Sequence, residues 1–97
     1  MDPTFVLSRL RQAYPDLKER FGIAHLGIFG SVARGEAGPT SDVDLLVDFA
    51  GPATLDAYMG LKYELESLLG VPVDLATRRS LKPSLRAIVE RDLKHVA

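Results

Sequence analysis

The chain has 97 residues, of which 46% are hydrophobic and 26% charged, a composition typical of one soluble globular domain. Its net charge of −1 argues against sequence-independent nucleic-acid binding, and its lack of cysteine excludes disulfides, thiolate metal sites and a cysteine nucleophile. No signal peptide or membrane span is recognisable. We therefore expect a cytoplasmic protein with a single domain over residues 1–97, without direct nucleic-acid or membrane binding.

The N-terminal segment has an amphipathic helical pattern. Pro15 lies within this pattern, and because proline removes a backbone donor we predict two short helices, with Pro15 as the first residue of the second. Gly22 is placed to end that second helix. The apolar residues recur at steps of three and four, as on the core-facing side of a helix: Leu7, Leu10, Tyr14, Leu17 and Phe21.

The next segment predicts a strand, a turn and a second strand. The short apolar run from His25 to Phe29 predicts a buried strand that turns at Gly30 into one or two helical turns, and Gly35 to Thr40 has the composition of an exposed loop. The pattern then alternates from Asp42 to Phe49. One face of this second strand carries Val43, Leu45, Val47 and Phe49, and the other carries Asp42, Asp44, Leu46 and Asp48.

The C-terminal half predicts a helix, a strand and a final helix. Thr54 is a plausible N-cap for a helix that ends at Gly70, and Val71 to Ala76 reads as a third strand with Asp74 as its polar position. A basic turn, Arg78 to Ser80, follows. The last amphipathic helix, with Pro83 or Ser84 in its first turn, is predicted from Leu85, Ile88, Val89, Leu93 and Val96.

Asp42, Asp44 and Asp74 are the candidate metal ligands. Asp42 and Asp44 are two residues apart on a predicted strand, so they leave the same face and repel each other unless a cation lies between them. Asp74 joins them if its strand pairs beside theirs. Oxygen ligands without histidine or cysteine favour Mg²⁺, or Mn²⁺, and two such ions roughly 3.5 to 4 Å apart can serve an in-line displacement at phosphorus.

Gly30 and Ser31 are the candidate phosphate-binding residues. They stand where a strand turns into a helix, so backbone N–H groups point outward beside the Ser31 hydroxyl and can hold a triphosphate. Arg34 can support this pocket, or equally brace the loop through salt bridges. A Gly-Ser turn alone is a weak signal, and an isolated Asp-x-Asp is more often a solvated strand face.

Taken together, the runs Gly30–Glu36 and Ser41–Leu45 resemble the signature of the minimal nucleotidyltransferases of the DNA polymerase beta superfamily. The resemblance implies an α/β fold, in which helices flank a small mixed sheet of at least three strands and pack on the face opposite the carboxylates. It implies that Asp42 and Asp44 bind both metal ions, that Asp74 binds the ion that activates the acceptor hydroxyl, and that Gly30 and Ser31 grip the nucleotide phosphates.

The resemblance also implies an activity, a metal-dependent transfer of AMP from Mg-ATP to a hydroxyl of another macromolecule. A standalone chain of this kind resembles the antitoxin of pairs whose partner is a HEPN-domain ribonuclease toxin, in which the antitoxin adenylylates a tyrosine of the toxin. Two alternatives stay open: a non-catalytic antitoxin that neutralises its partner by stoichiometric binding, and a nucleotidyltransferase for small molecules of the aminoglycoside type. The acceptor, the base preference and the homo- or hetero-oligomeric state also stay open.

Several other polar residues receive no part in this site. His25 and His95 have no carboxylate or cysteine partner at ligand spacing, and we assign them no role. Asp48 and Asp56 flank the turn at Gly51 and are expected to serve solubility or capping. The basic cluster is expected to be solvated surface unless it meets an acidic partner or a nucleotide phosphate; it consists of Arg78, Arg79, Lys82 and Arg86.

Overall fold

The computed structural model describes residues 2–38 and 41–97. Pro39 and Thr40, the end of the predicted loop, lie outside the described residues, as does Met1. The elements follow one another as α1 (Pro3–Phe21), β1 (Ile23–Phe29), α2 (Gly30–Ala33), β2 (Val43–Phe49), α3 (Leu55–Leu69), β3 (Val73–Thr77), a 3-10 turn (Arg78–Ser80), α4 (Pro83–Asp92) and β4 (Lys94–His95).

The four strands form one mixed sheet in the order β3-β2-β1-β4. β1 is antiparallel to both of its neighbours, whereas β2 and β3 are parallel, with α3 as the crossover between them. This confirms the predicted mixed sheet flanked by helices. Of the four residues predicted on the apolar face of β2, Val43, Leu45 and Val47 have no exposed surface, and Phe49 is partly buried against the same core.

The N-terminal helix departs from the prediction, because α1 runs without a break through Pro15. Pro15 lies on the exposed side of α1, so water can bind the carbonyl that loses its helical partner. The buried side continues across the proline and holds the helix against the sheet through Val6, Leu7, Leu10, Tyr14 and Leu17. Gly22 ends α1 in the left-handed conformation, as predicted, with a φ of 66°.

The helix α3 has the bounds that its capping residues predicted. The Thr54 hydroxyl accepts a hydrogen bond of 3.1 Å from the Ala57 N–H, and Gly70 ends the helix with a φ of 72°. α3 and α1 lie side by side on one face of the sheet, where Arg20 of α1 binds Glu64 of α3 at 3.1 Å. These two helices close the main core.

The last predicted helix is confirmed as far as Asp92 and wrong in its final turn. α4 ends at Asp92, and the chain then forms the short edge strand β4 against β1. Gly27 permits this approach, since a Cβ atom there would lie 2.7 Å from a Leu93 methyl. The Val96 N–H donates to the Leu26 carbonyl at 2.8 Å. Leu93 and Val96, assigned to one helical stripe, therefore belong to the strand and its flanks.

The helix α4 also differs from the expectation that helices cover only the face opposite the carboxylates. Arg78 binds both Asp48, on the carboxylate side of β2, and Glu90 of α4. Leu46 on that side and Val89 of α4 are buried outside the main core cluster. Across the described ranges, none of the helices combines the length and apolar character needed to cross a bilayer.

Candidate functional site

The backbone of Gly30 lies directly against the carboxylate of Asp44. β1 ends at Phe29, whose register partner on β2 is Asp44, and Gly30 then starts α2 with a φ of +72°. A Cβ atom at Gly30 would lie 2.2 Å from Oδ2 of Asp44. The position therefore requires glycine twice, once for its backbone conformation and once for the close approach.

Asp44 and Asp74 are direct register partners on the parallel strands β2 and β3. The pKa of Asp44 is raised, first by burial and then by the negative charges of Asp74 and Asp42, while Arg34 opposes the shift. Asp42, just before β2, and Asp74 are both exposed. The three predicted carboxylates thus share one end of the sheet, and two of them, Asp42 and Asp74, act electrostatically on Asp44.

The strand that carries Asp74 is held at both neighbouring positions by α3. The Glu66 carboxylate accepts the Val73 N–H at 3.0 Å, which is the main cause of the lowered pKa of Glu66. The Tyr58 hydroxyl donates to the Leu75 carbonyl. Sequence reasoning assigned no such role to these α3 residues, and both contacts fix the position of Asp74 relative to β2.

The turn at α2 is tied together by its own backbone. The Arg34 N–H donates to the Gly30 carbonyl at 3.1 Å, and the Glu36 N–H donates to the Ser31 carbonyl at 2.9 Å. The first N–H groups of such a turn have no acceptor within it. They are available to an anion beside the half-buried Ser31.

Arg34 forms two salt bridges, as its bracing alternative predicts. Its Nε contacts Glu36 at 3.0 Å, and its Nη1 contacts Asp92 at the end of α4 at 2.8 Å. Arg34 in turn lowers the pKa of Asp92. Asp92 is a residue that sequence reasoning missed, because 58 positions separate it from Arg34 and no local pattern links the two.

Asp48 stands apart from the other aspartates of β2, because its carboxylate contacts Nε of Arg78 at 2.9 Å. Asp48 is therefore the ion-pair partner of Arg78, a member of the basic cluster whose side chain stays 41% exposed. A depression of about 580 Å³ lies at that end of β2 and β3, lined in part by Asp48, Phe49, Pro52, Thr77 and Arg79. Asp42, Asp44 and Asp74 do not line it.

The three carboxylates have the chemistry that a divalent ion requires, but their side chains do not yet surround a common ion position. Carboxylate oxygens without histidine or thiolate suit Mg²⁺ or Mn²⁺. Burial and then repulsion by Asp74 and Asp42 raise the pKa of Asp44, and a cation would relieve the repulsion. Within residues 2–38 and 41–97, however, no three acidic, histidine or cysteine side chains are already arranged to hold an ion.

Comparison with known proteins agrees with this geometry. The model of the nucleotidyltransferase domain family matches residues 10–96. The protein adenylyltransferase MntA of Thermococcus cleftensis is 46% identical over 81 residues, which cover 84% of this chain and 82% of MntA.

Two solved structures share the fold. One, identified provisionally as a minimal nucleotidyltransferase, is 46% identical, has a TM-score of 0.81, and aligns over 97% of this chain and 95% of its own. The other is a toxin-antitoxin structure with AMP-PNP; its matching chain is 26% identical with a TM-score of 0.73, over 90% of this chain and 72% of its own.

Proposed function

The chain belongs to the nucleotidyltransferase domain family, and on that basis we propose that it transfers AMP from Mg-ATP to a hydroxyl group of a partner protein. The observation that carries the proposal is the register of Asp44 beside Asp74, with the Gly30 turn against Asp44. This arrangement brings a carboxylate cluster and a candidate phosphate-binding turn to the same end of the sheet.

In this proposal Asp42 and Asp44 hold two divalent ions, and Asp74 holds the one nearest the acceptor hydroxyl. When bound, these ions would supply the positive charge that offsets the carboxylates and stabilises the attacking and leaving oxygens. The side chains of Asp42 and Asp74 are exposed and so are accessible to an ion beside Asp44. Asp44 itself is kept in place by the backbone of Gly30.

Gly30 and Ser31 bind the phosphates of the nucleotide through the backbone N–H groups of the turn and the Ser31 hydroxyl. Arg34 supports this turn from its anchor on Glu36 and Asp92 and adds positive charge on the phosphate side. The acceptor oxygen bonds to the α-phosphorus, the bond from that phosphorus to the bridging oxygen of the β-phosphate breaks, and pyrophosphate leaves. The hydroxyl proton is released to solvent.

The acceptor in this proposal is a tyrosine of a HEPN-domain ribonuclease, and the chain is the antitoxin of that pair. The name of the MntA relative supports AMP transfer to protein. The toxin-antitoxin structure that contains AMP-PNP supports a nucleotide-binding antitoxin. The HEPN partner and the tyrosine rest on the family resemblance.

The test is to incubate the purified chain, Mg²⁺ and ATP with the HEPN-domain protein of the same genome and to weigh that protein by mass spectrometry. We expect the mass of one or more AMP groups, located on tyrosine by peptide sequencing. The Asp42→Ala, Asp44→Ala variant is expected to add none. An unmodified partner, or equal modification by the variant, would contradict the proposal.

A non-catalytic antitoxin is the second candidate. The observation in its favour is that, in the described part of the chain, no side-chain cluster is already arranged to hold an ion. The same double variant separates the two candidates in a growth assay with the toxin. Full protection by Asp42→Ala, Asp44→Ala favours neutralisation by binding, and loss of protection favours transfer.

A further inference from the structure

The helix α4 buries little of its own apolar surface. Val89 is its one buried residue among those described, whereas Leu85 and Ile88 are 45% and 46% exposed. Two half-exposed apolar side chains three residues apart form a continuous strip on a helix. A helix with this pattern on a small domain is suited to contact with another chain.

The exposed strip leads toward the candidate nucleotide site. Leu85, Ile88 and Asp92 are spaced by three and four residues, so they follow one row along α4. Asp92 ends that row and binds Arg34, which follows α2, at 2.8 Å. A chain that rests on Leu85 and Ile88 is therefore beside the turn that carries Gly30 and Ser31.

The other flank of α4, across the buried Val89 from Ile88, is positively charged. Glu90 and Asp92, the acidic residues of α4, are engaged by Arg78 and Arg34. Arg79, Lys82 and Arg86 form no salt bridge with any residue that the structure describes. Arg79 and Arg86 line a shallow groove of about 280 Å³ beside α4, so the local charge is basic although the whole chain has a net charge of −1.

We propose that the exposed side of α4, with Leu85 and Ile88 on one flank and Arg86, Arg79 and Lys82 at the other, is the docking site for an acidic, partly apolar segment of the acceptor protein. The inference rests on the proposed function, and it names the surface by which the acceptor protein approaches the carboxylate side of the sheet. An acidic partner matches the unpaired cations, and its apolar side chains cover the strip. A symmetric second copy would instead place these cations against one another.

The test is the affinity of the purified HEPN-domain protein for the chain, measured by calorimetry in EDTA so that no transfer occurs. One variant removes the strip, Leu85→Ser with Ile88→Ser, and another reverses the charges, Arg79→Glu with Lys82→Glu and Arg86→Glu. The matched controls are on other elements. They are Leu55→Ser with Tyr63→Ser, at α3 positions that are 75% and 59% exposed, and Lys18→Glu on α1.

We expect each α4 variant to raise Kd at least about tenfold, as loss of interface anchors does, and each control to change it less than about twofold. In turnover, the α4 variants raise KM for the protein acceptor and leave KM for ATP unchanged. Binding by the unaltered chain weakens with salt, and the charge-reversed variant loses this dependence. Thermal melting followed by circular dichroism checks that all variants fold. If the triple charge-reversal variant does not fold, the single variant Arg86→Glu takes its place.

Four results would overturn the proposal: no binding by the unaltered chain, unchanged affinity in the α4 variants, an equal loss in the controls, or a self-association that the α4 variants abolish. Binding of a labelled RNA oligonucleotide that the charge reversal removes, without any effect on the protein partner, would also overturn it. Failure of the proposed function is distinct. A chain that binds its partner through α4 but never adenylylates it retains the docking site and loses the catalytic assignment.

Discussion

One face of the four-stranded sheet is covered by α1 and α3, whereas the other carries the aspartates and α4. The covered face holds the main cluster of buried residues, to which all three strands with long pairings contribute. The other face buries Leu46 and Val89 but leaves Asp42, Asp74, Leu85 and Ile88 exposed. The main core and the candidate site therefore lie on opposite sides of one sheet. Substitutions in the core are expected to lower the free energy of unfolding, and substitutions in the candidate site are expected to lower AMP transfer.

The largest effect is expected at Asp44. Asp44→Asn removes a proposed metal ligand and should lower AMP transfer by about 10³-fold or more, since metal ions supply several kcal/mol of transition-state stabilisation. The matched control is Asp48→Asn on the same side of β2, where the carboxylate pairs with Arg78. Rates of AMP transfer to the partner, measured with radiolabelled ATP, should change less than about threefold in the control. Equal losses in both variants would contradict the distinction between these aspartates.

On the covered face, the corresponding experiment is Leu65→Ala. Leu65 is completely buried between α3 and the sheet, so its truncation should lower the free energy of unfolding by about 3 kcal/mol. Leu85→Ala, at a position that is 45% exposed, should cost less than about 0.5 kcal/mol. Urea denaturation measures both values. A similar cost at the two positions would mean that α4 is packed more tightly than its exposure indicates.

Gly30→Ala tests the contact between the turn and Asp44. The added methyl group would collide with Asp44 Oδ2 at 2.2 Å and must displace it, and a displacement of that order lowers turnover by about 100-fold. Gly70→Ala is the matched control, because Gly70 has the same φ of +72° with nothing within 4 Å of the added atom. Both variants should lose similar stability from backbone strain, roughly 1 to 2 kcal/mol. If transfer falls equally in both, the collision has no part in the effect.

The features predicted from the sequence are those that depend on neighbouring residues. Thr54, Gly22 and Gly70 act within one helical turn, and the alternation of β2 follows from the geometry of a single strand. The metal-ligand assignment of Asp42, Asp44 and Asp74 stays a prediction. These three residues lie at one end of the sheet because β2 and β3 are adjacent and parallel in the structure.

The features that the sequence did not predict depend on contacts between distant parts of the chain. Proline is unfavourable inside a helix, but Pro15 is tolerated because it faces solvent while the opposite side of α1 stays packed. The two residues of β4 are too few for a periodic signal, and Arg11 of α1 helps fix them through the His95 carbonyl at 2.9 Å. Neither condition can be read from a local pattern.

A smaller effect is expected at Asp92 of α4, which binds Arg34 beside the candidate phosphate-binding turn. Asp92→Asn removes the salt bridge to Arg34 and should raise KM for ATP by about fivefold or less, because Arg34 is 41% exposed and keeps its second salt bridge to Glu36. Asp16→Asn, which removes an exposed salt bridge to Arg20 on α1, is the control and should leave KM unchanged. Initial rates at varied ATP measure the difference. An unchanged KM in Asp92→Asn would show that Arg34 needs no anchor on α4.

The smallest expected effect is a pH-dependent difference in stability between the unaltered chain and Asp44→Asn in EDTA. The pKa of Asp44 is raised above its ordinary value of 3.8 by burial and by Asp74 and Asp42, so the folded chain binds more protons than the unfolded chain in the window above that value. Its free energy of unfolding therefore falls as the pH rises through this window. At pH 7 Asp44→Asn should be the more stable protein, by less than about 1 kcal/mol.

Below the ordinary pKa of 3.8 the carboxyl of Asp44 is mostly protonated in both states, so the difference from Asp44→Asn should shrink on acidification. Urea denaturation at pH 7 and at pH 3.5, with the variant as reference, cancels the opposite contributions of Glu66 and Asp92, whose pKa values are lowered. Millimolar Mg²⁺ should make the unaltered chain the more stable protein at pH 7. An ion that binds only the folded state raises the free energy of unfolding, and the increase grows with the logarithm of the ion concentration relative to Kd. If Mg²⁺ stabilises Asp44→Asn as much as the unaltered chain, Asp44 is not a metal ligand. The proposed metal site on this face of the sheet would then not depend on Asp44.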